Sequence, residues 1–373
     1  MGKRELLLIV AFAIVGAIVY QVTAPPPAPG ERSFSPGRII DNIRKEVRGN
    51  RSAAESVNTS THPVESTVTE LRLAVPKGLP AELTVIGEDR EDINAEIKVH
   101  SNASDDQEAE RTAKATVLKV ERAGTKLIAS LDFPPEGRQS ANLTLHIPSR
   151  LRLQIESTRN RTRISNVAAV DTQNGRGTTE ISQIKEIVVG TYRGGELRVV
   201  RAGSVKLTTV GMDVRLEQIN GQVSLNMRAG DLRGEELGGP VDIDATGVDI
   251  ELEKLEKTTG IVRITASAGS VSVKGLRTEA RIDARNSDVD AIIERAVPVA
   301  IYCEGGSPVD ITPPPGGYQL DAVAADGSIE LPEGTLEVTS NGTERRAAGP
   351  VKGGGPTITI RVAHASITVR DRE

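Results

Sequence analysis

The feature that most constrains this chain is a recurring unit: two short alternating apolar stretches joined by a small, Gly-containing turn. Val262, Ile264 and Ala266 alternate with Arg263 and Thr265, then Ser267, Ala268, Gly269 and Ser270 intervene before Val271 and Val273 resume the pattern. The same unit starts again at Val223, Val241, Ala280, Val299, Leu320 and Ile358. The last apolar residues of six first stretches, Met227, Ala245, Ala266, Ala284, Cys303 and Ala324, are separated by steps of 18, 21, 18, 19 and 21. A recurring step near this length is the mark of stacked coils.

Period-two alternation places Val, Ile and Leu on one face of each stretch and Asp, Arg, Thr, Ser and Lys on the other. A coil of about 20 residues holds two strands of about 5 to 6 residues and two turns, and neighbouring coils stack about 4.8 Å apart. The expected fold is therefore all-β, a β-solenoid or β-helix-like roll of two-strand coils. Val262, Ile264, Val271, Ile282, Val289 and Ile301 are its expected core. Gly269, Gly306 and Gly327 sit at turns expected to need unusual backbone angles. Aromatic residues make up only 2% of the chain, so the core must be thin and aliphatic. The single cysteine, Cys303, occupies the inward slot held elsewhere by Ala245, Ala266, Ala284 and Ala324. It is expected to be a small buried hydrophobe, with little thiolate.

The N-terminus reads differently. Leu6, Leu7, Leu8, Ile9, Val10, Phe12, Ile14, Val15, Ile18, Val19 and Tyr20 belong to an apolar run that follows Lys3 and Arg4. Residues 6–24 would form about 28 Å of helix, near the thickness of a hydrocarbon core. Pro25 stands directly after a small-residue cleavage pattern at Val22 and Ala24. The expectation is an uncleaved signal anchor with residues 1–5 cytoplasmic and the remainder periplasmic or extracellular. Residues 25–57 follow as a Pro-rich spacer and a short juxtamembrane helix carrying Ile39, Ile40, Ile43 and Val47. The solenoid is expected over 64–371, irregular over 64–149 and regular over 150–371. Residues 105–111 read as a charged turn, 341–356 as a long loop, and 358–369 as the pair that closes the body.

The net charge of −5 is spread in mixed sign, which excludes the clustered basic surface of a nucleic-acid binder. His62, His100, His146 and His364 are scattered singly, without a companion at metal-ligand spacing. No nucleophile elbow, phosphate loop or paired-Cys motif is present, so no cofactor is expected. The carboxylates Asp242, Asp244, Asp249, Glu251 and Glu253 are the one cluster with chemical potential, as a cation site or as the acids of a carbohydrate-active enzyme. Arg263 and Arg281, on the following rungs, favour a solvated ladder of mixed charge instead.

The run Ile147, Pro148, Leu151, Leu153 and Ile155, with the turns Ala268-Gly269-Ser270-Val271 and Asp326-Gly327-Ser328-Ile329, resembles the bacterial putative-adhesin family of β-solenoid domains of unknown function. The resemblance implies an extracytoplasmic, non-enzymatic domain with no catalytic residues to carry over. The expected function is a membrane-anchored scaffold for adhesion or for contact with an envelope or surface protein or glycan. The alternatives are a carbohydrate-active β-helix enzyme using Asp242, Asp244 or Asp249, and a sensor or accessory subunit of an envelope-stress membrane complex.

Overall fold

The computed structural model describes residues 52–74 and 80–370. Its centre is a run of parallel, in-register coils. β11 (Val223–Leu237), β12 (Val241–Glu253), β13 (Val262–Leu276) and β14 (Ala280–Ile293) each pass through a bend as one continuous strand with two halves. Val223, Val241, Val262 and Ala280 align through the first halves, and Leu232, Ile250, Val271 and Val289 through the second. Upstream, β10 (Ala169–Ile219) winds continuously through 51 residues and feeds β11 in the same register. All of these aligned residues belong to a single hydrophobic cluster. Val262, Ile264, Val271, Ile282, Val289 and Ile301 are each at most 2% exposed.

The bends repeat as strictly as the strands. Between the two halves of a coil, one residue adopts the left-handed conformation: Ala229, Gly247, Ala268, Asn286, Gly305 and Asp326 in units successive along the chain. A second bend does the same at Asn166, Gln183, Arg201, Gln218, Glu236 and Lys254. Most of these are not glycine, so backbone strain of about 1 kcal/mol per site is accepted to keep each coil in register. Gly306 does have a left-handed φ, of 83°. At Gly269 and Gly327 the expected reason is corrected, because the preceding Ala268 and Asp326 make the turn. Glycine is required there by close approach: a Cβ would lie 2.1 Å from the Val248 carbonyl oxygen at Gly269, and 1.8 Å from that of Ala365 at Gly327.

Stack order departs from chain order at both ends. β15 (Val299–Glu304) pairs not with β17 (Tyr318–Ala325) but with β21 (Thr357–Ala363), which is sandwiched between them. In the second halves, β22 (Ile367–Val369) likewise lies between β16 (Val309–Thr312) and β18 (Ile329–Glu330). The pair expected to close the body is thus an interior coil. The N-terminal end mirrors this: β2 (Glu70–Leu73) lies between β6 (Lys126–Asp132) and β8 (Arg152–Ile155). β3 (Glu82–Glu88) lies between β7 (Arg138–Pro148) and β9 (Arg161–Ser165). Interior placement gives these early and late strands backbone partners on both edges.

Antiparallel strands cover the outermost coils. β5 (Val117–Ala123) pairs with β6, and β4 (Asp92–Ala103) with β7; β1 (Ser52–Pro63) is then added outside β4. At the other end β20 (Glu344–Val351) covers β17, joined in a hairpin to β19 (Thr339–Asn341). This hairpin replaces most of the loop expected at 341–356. The expected charged turn at 105–111 is instead the start of α1 (Asp106–Ala115), whose N-cap Asp105 accepts a hydrogen bond from the Glu108 backbone N–H at 2.8 Å. Ala109, Thr112 and Ala113 are its buried face.

Residues 6–24, the expected membrane anchor, and the expected juxtamembrane helix lie outside the described residues. Among the described residues no helix is long and apolar enough to cross a membrane; α1 has ten residues and a largely polar sequence. For the expected single-pass anchor, its cytoplasmic N-terminus and its membrane partnership the correction is confined to the described residues: they hold no membrane-spanning helix, and the fold they form is almost entirely β. The spacer boundary also moves, because residues 52–57 belong to β1.

Two outcomes follow. Ile360→Ala, at a fully buried position between Ile301 and Ala322, is expected to cost about 2–5 kcal/mol in urea unfolding; a cost below about 1 kcal/mol would mean that β21 is a dispensable flap. Gly269→Ala is expected to destabilise by more than about 2 kcal/mol through carbonyl overlap, while Ala268→Gly is neutral or stabilising by up to about 1 kcal/mol. Thermal unfolding of the two variants checks both signs.

Candidate interaction surface

From β11 to β15 the inward positions are filled by small or aliphatic side chains, so the outward positions are where a partner can be met. In the first halves these align as Ser224, Asp242, Arg263, Arg281, Ala300, Thr359 and Asp321. The adjoining column reads Asn226, Asp244, Thr265, Asp283, Tyr302, Arg361 and Val323. Between Asp242 and Thr359 the surface forms an open trough of about 570 Å³. Ile261, Pro298 and Ala300 supply its apolar parts, and Thr265, Thr357 and Thr359 its hydroxyls.

Charges on this face divide into two groups. Arg281 is immobilised: it donates to Asp283 through Nε (2.7 Å) and Nη2 (3.0 Å), and its guanidinium lies 5.0 Å from the centre of the Tyr302 ring. The Asp283 hydrogen bonds hold the Arg281 guanidinium above its ordinary pKa. Asp321 is clamped in the same way, by Arg361 from β21 and by Arg346 from β20 at 3.3 Å. Burial alone would raise the Asp321 pKa, but the Arg361 and Arg346 contacts outweigh it and the carboxyl is held below its ordinary value.

Asp242, Asp244, Arg263 and Glu279 form the other group. Asp242 and Arg263 are neighbours in register, yet among the described residues their side chains, and those of Asp244 and Glu279, make no ion pair or hydrogen bond. Several charges in the second halves are paired: Lys274 bonds to Glu253 at 2.7 Å, Lys254 to Glu235 at 2.7 Å, and Arg198 to Glu217 at 3.0 Å. The Lys274 hydrogen bond keeps the Glu253 carboxyl below its ordinary pKa. A smaller trough of about 350 Å³ near Arg152 holds two ion pairs, Lys126 with Glu70 and Arg152 with Glu186.

The carboxylates singled out in the sequence do not converge. Asp242 and Asp244 precede the bend at Gly247, whereas Asp249 and Glu251 follow it. Asp249 accepts from the Ser270 hydroxyl at 2.7 Å, and Glu251 is engaged by Lys274 and Arg233. Among the described residues no group of three His, Cys, Asp or Glu side chains is close enough to hold a metal ion. Cys303 stacks between Ala284 and Val362, is 3% exposed, and has its thiol pushed up to about 12 by burial and by the nearby Asp283 and Asp288 carboxylates. Thr357 and Thr359 escaped sequence reasoning because only the insertion of β21 beside β15 brings them to Ala300 and Arg281.

A family model described as Toastrack DUF4097 matches residues 77–370. Two solved structures align with 86% of the chain. One is described as a putative cell adhesion protein from Clostridium sporogenes ATCC 15579, with 10% identity and a TM-score of 0.21 over 100% of its own length. The other is described as a putative adhesin from Parabacteroides distasonis ATCC 8503, with 8% identity and a TM-score of 0.35 over 98% of its length. None of the curated proteins matches the chain.

The Asp321 clamp has a signed pH dependence. A carboxyl held below its ordinary pKa contributes stability that is complete above about pH 4 and is lost as pH falls through the folded-state value. Asp321→Asn is expected to cost on the order of 1–3 kcal/mol at pH 7, and the difference from the parent should shrink toward zero at the acid end. Parallel urea titrations across that range check it; a pH-independent difference would remove the clamp from the account.

Proposed function

The chain belongs to the toastrack DUF4097 family, and we propose that it serves as a non-enzymatic β-solenoid scaffold whose first-half face holds a polar envelope or surface partner, protein or glycan. The observation that carries this reading is the trough of about 570 Å³ in which Asp242, Arg263 and Glu279 make no ion pair among the described residues, beside the neutralised Arg281–Asp283 pair and in line with threonine hydroxyls. A stacked sheet gains a few tenths of a kcal/mol from each cross-rung pair. Leaving three charges unpaired beside three threonine hydroxyls forgoes that gain and keeps donors and acceptors available to a ligand. The apolar strip of Ile261, Pro298 and Ala300 adds area that a partner can dehydrate. The separation of Asp242 and Asp244 from Asp249 gives no support to a two-carboxylate hydrolytic centre.

The test is direct. Arg263→Glu leaves an exposed position exposed and should not change the melting temperature by more than about 2 °C. Retention of isolated envelope material or whole cells on the immobilised protein should fall at least about tenfold, equivalent to about 1.4 kcal/mol. Equal retention by the variant would place the contact elsewhere.

A further inference from the structure

A stacked sheet has edges, and three of the four outermost strands here are defended against pairing. β5 carries Lys119, Glu121 and Arg122; β19, which lies outside β20, has only three residues; β18 has only two. β1 is the exception. It is twelve residues long, pairs with β4 along its whole length, and among the described residues has no strand on its other side. Glu55 is its only carboxylate, it contains no Lys or Arg, and Glu55 lies 3.4 Å from His100 across the ladder.

This edge is held firm rather than frayed. Asn58, at its centre, donates through Nδ2 to the carbonyls of Ala113 (3.0 Å) and Thr116 (2.7 Å), tying β1 to the C-terminal end of α1. The opposite face of the strand presents Ala53, Glu55, Val57, Thr59 and Thr61 to solvent. Val57 is 61% exposed, more than any other large hydrophobic residue of the described fold.

We propose that β1 is a self-association edge, joining two copies of the chain by antiparallel β1–β1 pairing about a two-fold axis at Val57. Antiparallel pairing at that centre sets Val57 against its own copy, Glu55 opposite Thr59, and Ala53 opposite Thr61. No like charges meet, and the exposed valines cover each other at the cross-strand distance of about 4.5–5.5 Å. Two-fold pairing also consumes the free edge of both copies, so the assembly closes instead of growing. A preformed, uncharged and self-complementary strand needs no ordering step before it pairs.

The full chain decides the matter through its mass in solution, measured by sedimentation equilibrium from about 1 to 100 μM, a span that brackets micromolar association. The parent is expected to reach twice the 39.6 kDa monomer mass. Val57→Lys and Val57→Glu, each alone, should raise the dimer dissociation constant at least tenfold with unchanged circular dichroism, because each sets like charges across the axis. An equimolar mixture of the two should recover the dimer, which no other occupant of the edge explains. A monomeric parent, meaning that another segment or a different protein covers the edge, overturns the proposal. So does a dimer indifferent to both substitutions, or a mixture that stays monomeric.

Discussion

The structure depends on one interaction repeated many times, the backbone ladder between a coil and the coil before it. Each coil satisfies its N–H and C=O groups by lying parallel and in register on its neighbour, so a bend in one coil must recur at the same place in the next. That requirement explains why Ala229, Ala268, Asn286, Arg201 and Lys254 occupy left-handed backbone that their side chains disfavour. Local strain of about 1 kcal/mol at a bend is smaller than the loss of several ladder hydrogen bonds and aliphatic contacts that a mismatched bend would entail. It also explains the absolute need for Gly269, where the carbonyl of the previous coil sits inside the volume of any side chain.

The same ladder governs the ends. A coil at the end of a stack has an unpaired edge, and in this chain both ends fold a distant segment into the second position from the outside. β21 enters between β15 and β17, and β2 between β8 and β6. Antiparallel strands then take the outermost places. Such an arrangement ties residues near 70 and near 360 into the interior, so the body lacks a peripheral coil that can peel away alone. It also raises the sequence separation of the contacts that must form, which slows folding relative to a simple sequential winding.

Much of this was legible and some was not, for physical reasons. Alternation at Val262, Ile264, Val271 and Val273 reports burial directly, so the coil and its register could be read from residue order. The slot shared by Ala245, Ala266, Ala284 and Cys303 follows from the same arithmetic. Ala324, placed next in that series by spacing, is separated from Cys303 by Val362. Nothing local distinguishes a strand that stacks on its predecessor from one that leaves a gap, since both need the same alternating pattern. α1 was hidden differently: Asp105 and Glu108 carry a capping signal, but the surrounding charges dominate a reading by polarity and suggest a turn. The candidate site was half legible. Asp242 and Arg263 stand on adjacent rungs as spacing implies, but adjacency in register did not become an ion pair, and the threonines opposite come from the far end of the chain.

That last point links the site to stability. The trough is built from β13, β14 and β15 on one side and from Thr357 and Thr359 of the inserted β21 on the other. A ligand that spans Arg263 and Thr359 touches both the sequentially wound body and the strand returned to it, and so favours the state in which the insertion is complete. The Asp321 clamp to Arg361 acts on the same strand from its opposite edge. The proposed binding and end closure would thus draw on one set of contacts: a polar surface on a repeat scaffold can be specific without a deep pocket when its two walls meet only in the fully assembled stack.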